Sequence, residues 1–420
     1  MKSPMIQLHS LHTLHEQLSS YKEIDEQLSD AIHVLQGAGL PGPKHEEWKY
    51  FPLHNVLLNN YKLPILTSKQ YIPSEFTPHL SNAHNLIIVN GIVQQHDFSN
   101  IPGLHISSDM HTMSYGHPKD NPFPLLNDIM NGKTTTIHID TTYVSATPIH
   151  VIHVYEGNDD SPVMSSPALR IDIAEHAKAQ IIESFHCIDS SKGLINANVV
   201  IHASSHSELH HVIIEKGLED VVVVYNCTSQ LHDSSIVQDH VIIHDSHAIR
   251  NTIQGVLNNE NGLYNIYGVI SADENSLIDN HTIVDHVSPH CASNELFKHV
   301  LNDNSTAVFN GKIFVRKDAQ KTNAYQSNRT LLLSPKATIN TKPQLEIYAD
   351  DVKCSHGATT GSVDEEALYY LQARGIPKHI GMKLLTDAFI GEVIQLLDNK
   401  QLREYFTETI IMQSGDEYEL

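Results

Sequence analysis

A chain of 420 residues is too long for one small core and implies about two or three domains. Its balance is acidic, 27 Lys+Arg against 49 Asp+Glu for a formal charge of -22, which argues against a sequence-independent nucleic-acid binder, since that needs a basic surface to displace counterions. No apolar run reaches the roughly 18 residues of a membrane-spanning helix, and MKSPMIQLHSLHTLHEQL has no continuous apolar core of the signal-peptide kind, so a cytoplasmic chain is expected.

The N-terminal third reads first as helix. Ile24, Leu28, Ala31, Ile32 and Leu35 recur at helical spacing, Leu8, Leu11, Leu14 and Leu18 do so less cleanly, and Gly37, Gly39, Pro41, Gly42 and Pro43 then stop the helix. A helical hairpin of roughly 40 residues follows from this pattern. The run His45-Glu-Glu-Trp-Lys-Tyr-Phe-Pro holds the only tryptophan, Trp48, which reads as an aromatic anchor pinning the helices to a core. Residues 61–80 read as a linker, and residues 100–135 as a loop or short helices. Strand-like runs begin at Asn85.

From about Thr135 to Ala349 the chain is a succession of short β-rich runs, such as Thr136-Ile-His-Ile-Asp, Val221-Val-Val-Val-Tyr and Gln344-Leu-Glu-Ile-Tyr. Between them recur polar turns, among them Glu175-His-Ala, Ser205-His-Ser, Asp245-Ser-His, Asp273-Glu-Asn and Asp303-Asn-Ser, several of them separated by about 30 residues, a solenoid spacing. No amphipathic helix interrupts them, which disfavours a doubly wound sheet. A single coil is too small to bury its own apolar face, so stacking supplies the core. The pattern by itself supports a β-solenoid and leaves a β-sandwich open.

At the C-terminal end, Ser362-Val-Asp-Glu365 has the pattern of a capping box. Ala367, Leu368 and Leu371 continue it as a helix that Gly375 and Pro377 end; a second helix carries Ile380 to Leu396, and a third spans about Leu402 to Ile411. Such helices are expected to cover the open ends of a solenoid, which are otherwise pairing hazards.

The chemistry-bearing residues are few. Cys187, Cys227, Cys291 and Cys354 lie far apart with no C-x-x-C pair, a spacing that excludes a zinc finger, and the first three read as structural. The 31 histidines are spread along the whole chain, whereas a metal store would gather them in tracts; each is read as solvated or satisfied in the core. Cys354 and His356 form the one tight cluster of soft-metal ligand types, and in an extended segment they share a face with Ser355 opposite. Two ligands are half a site, because zinc or an iron–sulfur cluster takes about four. No G-x-x-x-x-G-K-[ST] loop is present, and Asn310-Gly-Lys reads as a turn.

The stretch Asn310 to Pro377 carries a resemblance. The G-K-I-x-V run near Gly311, then DAQKTNAYQSNRTLLLS, then PQLEIYADDVKCSHGATTG, resembles the SufB/SufD family of iron–sulfur cluster assembly scaffolds over about 65 nearly continuous positions. The chain length and Gly357, which follows the histidine, resemble the SufD type, and Glu-x-Trp-Lys-Tyr near Trp48 resembles an element of the same family.

The resemblance implies a right-handed parallel β-helix core over 81–360, an N-terminal helical region and linker over 1–80, and a C-terminal helical region over 361–420. It further implies a non-enzymatic scaffold of the SUF system that pairs with SufB through the last coils. The SufC ATPase would dock on the C-terminal helices, with Tyr370, Arg374, Ile376 and Pro377 as contacts, and would supply the ATP site this chain lacks. His356, with Cys354 beside it, would contribute to a nascent cluster or its iron, the missing ligands coming from SufB. Reduced flavin is a further cofactor of such a complex, and a homodimer is an alternative in isolation. The reading from another class is a β-helix enzyme acting on polysaccharide, with Asp350 and Asp351 as carboxylates. Adjacent strand residues point to opposite faces, so that dyad is geometrically poor.

Overall fold

The computed structural model describes residues 5–19, 24–42, 44–51, 53–64, 80, 82–98, 100–109, 120–131, 133–157, 161–188 and 192–407. The chain opens with strand β1 (Met5–Gln7), a 3-10 segment (Leu8–Thr13), helix α1 (Leu14–Ser19) and helix α2 (Glu26–Ala38). The Asp25 carboxylate accepts the Leu28 N–H at 2.8 Å and so caps α2. Gly39, at φ +73, ends it by donating its N–H to the Leu35 carbonyl. A 3-10 turn (Glu46–Trp48), α3 (Leu53–Leu57) and β2 (Asn60–Lys62) follow. The expected linker over 61–80 therefore begins inside a strand. Tyr61 is buried there and its hydroxyl donates to the Val56 carbonyl; residues 65–79 lie outside the described residues.

The strands then come in quick succession. β3 (His84–Val89) and β4 (Ile92–His96) form a hairpin, and β5 (Leu104–Asp109) and helix α4 (Phe123–Met130) precede β6 (Thr134–Ile139). The segment 100–135 thus holds a strand as well as a helix; 110–119 lie outside the described residues. β7 (Ile149–Tyr155), β8 (Val163–Ser165), β9 (Ala168–Ile173), β10 (Lys178–Cys187) and β11 (Gly193–Ala203) lead to two long bent strands, β12 (Glu208–Leu231) and β13 (Ile236–Leu257). β14 (Leu263–Ala272), β15 (Leu277–His286), β16 (Ala292–Leu301), β17 (Thr306–Val315), β18 (Asn323–Leu332), β19 (Thr338–Ile347) and β20 (Lys353–Gly361) complete the set.

These strands coil into a parallel β-solenoid. One stack runs β3, β7, β10, the first half of β12, the first half of β13, β14, β16, β18 and β20, each parallel to the next. The other runs β6, β9, β11, the second halves of β12 and β13, β15, β17 and β19. The corners carry the periodicity seen in the sequence. His176, His206, Ser234, Asn261, His290 and Lys321 all have positive φ at one corner, and Gly217, Asp245, Glu274 and Asp303 at the other, roughly 30 residues apart within each series. Short polar residues and glycine tolerate that left-handed geometry best, which is why the turns read as His, Asp, Asn and Ser.

Side chains alternate along each strand. Leu209 and Ile213 face the lumen beside Val237, Val241, Ile249 and Ile253, and form one continuous apolar core with most of the inward positions. Their neighbours Val212 and Ile214 face outward and are covered by helices.

Here the structure departs from the expected end caps: the N-terminal helices, the end of α6 and α7 lie on the two outer flanks. The N-terminal helices and α4 pack through Leu35, Trp48 and Phe123 on outward Leu194 and Val224 of the second stack. The C-terminal helices α5 (Glu365–Gln372), α6 (Lys378–Ile394) and α7 (Lys400–Phe406) follow β20. From them Ile390, Val393, Leu402 and Phe406 pack on outward Ile182, Val212, Ile242 and Val269 of the first stack. Each such buried side chain contributes about 1.5–3 kcal/mol, enough to make flank packing decisive. The third expected helix is α7; residues 408–411 of it lie outside the described residues.

Trp48 is the anchor its solitary position suggested. It is buried, stacks on Phe123 at 5.0 Å, donates its indole N–H to the Asp120 carbonyl at 3.0 Å, and carries the Arg250 guanidinium over its ring at 4.2 Å. Beside it Glu47 accepts from Lys312 at 2.7 Å and Asn310 at 2.9 Å. These bonds correct the reading of Asn310-Gly-Lys as a turn: the run lies in the middle of β17. Gly311 faces inward there, where a Cβ would strike the Gln326 amide, while Asn310 and Lys312 face outward to Glu47. Among the described residues, no helix is long and apolar enough to cross a membrane.

Candidate functional site

Strand β20 is the last turn of the first stack. Lys353 enters it by donating its N–H to the Thr322 carbonyl at 2.8 Å, and the strand pairs with β18 in the register Ala324↔Cys354, Tyr325↔Ser355 and Gln326↔His356. No further strand covers its other edge among the described residues, so its outer row of N–H and C=O groups is open. Cys354 and His356, two residues apart on one strand, share the lumen-side face, as the alternation required.

The two differ in environment. Cys354 is half-buried against the end of the apolar lumen, and that burial raises its thiol pKa above the ordinary value, opposed by a hydrogen bond with the Ala324 backbone. His356 is exposed. Among the described residues, no third His, Cys, Asp or Glu joins them in a group able to hold a metal, so within this chain they remain half of a site. The last strands also display large apolar side chains: Tyr325, on the outward face with Ser355, is 46% exposed, and Ile347 and Tyr348 at the end of β19 are 41% and 59% exposed. Asp350 and Asp351 sit in the exposed turn before β20, where Asp351 is engaged by the Lys321 ammonium and so is not free to pair with Asp350.

The residues expected to meet a partner lie on the helical hairpin that follows. The helix is capped by Asp364, whose carboxylate accepts the N–H groups of Glu366 at 2.9 Å and Ala367 at 3.2 Å. This corrects the capping box built on Ser362. Asp364 sits directly before the first helical residue, where its short side chain reaches the second and third N–H groups. Tyr370 is 57% exposed and the Arg374 guanidinium lies over its ring at 4.4 Å. Gly375, at φ +85, turns the chain; Ile376 is half-buried and Pro377 exposed at the start of α6. Tyr369, Ile380 and Leu384 are exposed too, so the α5–α6 hairpin presents a partly apolar surface that is uncovered among the described residues, while the end of α6 is packed on the solenoid.

Sequence reasoning missed one constellation. Cys227, read as structural, lies inside the lumen with His211 and Asp239, all three fully buried. The signal was present as spacing: His211 and Asp239 are one 28-residue coil apart in register, and Glu183 lies one coil earlier, offset by one inward position. Coil length and phase had to be known before those positions could be stacked.

Residues 154–389 match the family model described as SUF system FeS cluster assembly, SufBD core domain. The chain is 27% identical to the iron–sulfur cluster assembly protein SufD of Escherichia coli over 391 residues, 90% of each chain. It is 26% identical over 390 residues to the SufBD family protein slr0076 of Synechocystis, 87% of this chain and 85% of that one. The chloroplastic protein ABCI7 of Arabidopsis thaliana is 46% identical over a shorter stretch of 123 residues, 29% of this chain and 26% of that one. With a matching family model over more than half its length and a β-solenoid that ends in the Cys354–His356 strand, the chain belongs to the SufBD family of iron–sulfur cluster assembly proteins, and it is similar to a SufD over 90% of its length.

Proposed function

We propose that this chain is the SufD-type scaffold subunit of a SUF assembly complex: it pairs with SufB through the open last coil, docks the SufC ATPase on the α5–α6 hairpin, and supports iron acquisition and cluster assembly at the SufB interface. The observation that carries this reading is the end coil. It combines an uncovered strand edge, three exposed large apolar side chains and a Cys–His pair that has no further ligand among the described residues. Exposed edges and apolar patches of this kind are the surfaces that strand addition and protein pairing use. Soft thiolate and imidazole donors are the ligands iron–sulfur chemistry employs, and a partner's side chains would complete the set. The scaffold itself is read as non-catalytic, with ATP hydrolysis assigned to SufC and any reduced flavin to the assembled complex. The compartment is read as the cytoplasm.

The test is selective disruption. Tyr325→Asp with Tyr348→Asp should abolish co-purification with SufB while SufC still binds. Retention of SufB by that double variant would place the pairing surface elsewhere, and self-association of the wild-type chain through the same surface would favour a homodimeric scaffold.

A further inference from the structure

The lumen holds a polar group of another kind, well away from the end coil. His211 on β12 and Asp239 on β13 are register partners on successive coils, and Glu183 on β10, one coil back and paired with Ile213, is offset from His211 by one inward position; all three lie among Leu209, Val237 and Val241. The His211 ring lies between the two carboxylates, Nε2 at 2.7 Å from Glu183 and Nδ1 at 2.9 Å from Asp239. Cys227 reaches the same point from the opposite stack. One ligand atom each from His211, Cys227 and Asp239 lies within 4.8 Å of the others, and none of the three side chains is accessible to solvent beyond a trace.

We infer that His211, Cys227 and Asp239 form a closed binding site inside the β-solenoid for one borderline divalent cation of the zinc or ferrous class. Nitrogen, thiolate and carboxylate donors in one cluster suit that class of ion, whereas calcium and magnesium demand oxygen alone. The surroundings are arranged as an outer shell. Glu183 holds the His211 Nε2 side and leaves Nδ1 toward Asp239, the carboxylate–histidine–metal relation that fixes a ligand's orientation. Tyr264 donates to Asp239 Oδ2 at 2.5 Å, leaving Oδ1 toward His211, and Tyr225 donates to Glu183 at 3.0 Å.

The site is also separate from Cys354 and His356: it lies five strand spacings along the first stack, about 24 Å, from β20. Being enclosed, it fills as the coils close, and its role is to pin adjacent coils together.

The experiment uses the full chain, both as purified and after refolding with cobalt(II) as the probe. Elemental analysis of the purified wild type should find about one zinc or iron per chain, and its X-ray absorption should show one sulfur neighbour beside nitrogen and oxygen. Refolding with cobalt should produce thiolate-to-cobalt absorption, which Cys227→Ser removes and Cys354→Ser leaves unchanged. Asp239→Asn serves the same comparison where Cys227→Ser does not refold. A wild type that purifies without stoichiometric metal and refolds without the thiolate band would overturn the inference, as would a band that survives Cys227→Ser.

Discussion

His356 and Gln326 are register partners on adjacent strands, yet Gln326 is buried and donates to the Glu295 carboxylate at 3.2 Å, whereas His356 is exposed. The difference is one coil of cover. Gln326 has β20 over it; His356 has nothing over it among the described residues. Each inward position of the solenoid is normally covered by the next coil, so His356 and Cys354 are inward positions that no further coil covers among the described residues.

That relationship separates function from stability. His356→Ala removes a side chain with no buried contacts, so its unfolding free energy should stay within about 0.5 kcal/mol of wild type. Cluster formation in the proposed complex should nonetheless fall. Chemical denaturation of the isolated chain checks the first half of this claim; a loss of several kcal/mol would make His356 a folding residue.

Trp48 presents the opposite case. Trp48→Ala should destabilise the chain by about 3–5 kcal/mol, since it opens a cavity between the N-terminal helices and the solenoid and also removes the ring under Arg250. Thermal or urea unfolding reads this directly. A change below about 1 kcal/mol would mean the N-terminal helices are held by other contacts.

Glu215 sets a pH dependence. It faces the lumen fully buried, accepts from Asn251 at 2.7 Å, and burial raises its pKa to about 8. With a folded pKa above the unfolded value, its stabilising contribution is complete below the ordinary carboxyl pKa and is lost as pH rises through about 8. Glu215→Gln should therefore flatten the decline in stability between about pH 5 and 8, gaining on wild type as pH increases. Parallel slopes for the two proteins would contradict a buried neutral carboxyl.

The hairpin surface should act independently of both. Tyr370→Ala and Arg374→Ala remove exposed groups whose mutual contact is a surface cation–π pair worth about 0.5–1 kcal/mol. The double variant should keep the fold and SufB pairing and weaken SufC binding, measured by calorimetric titration of SufC. Unchanged SufC affinity would move the docking surface off α5.

Much of this architecture was legible in the chain. Corner residues such as Glu175-His176 and Asp303-Asn304 reported the coil length, because a left-handed corner selects short polar side chains. Inward and outward faces were not legible, since both are apolar wherever a helix covers the outside, as Ile213 and Val212 illustrate. For the same reason the terminal helices were expected at the ends instead of on the flanks. Cys354 and His356 stood out because they are neighbours in sequence. His211, Cys227 and Asp239 meet only through the coil register, and Gly311 resembled a turn residue although it is the inward gap that Gln326 fills.

The most direct test of the scaffold reading is anaerobic cluster reconstitution on the co-purified complex of this chain with SufB and SufC, with and without His356→Ala. The account predicts an intact three-component complex in both cases and a cluster signal that drops in the variant. An intact variant complex that assembles clusters at the wild-type level would contradict it.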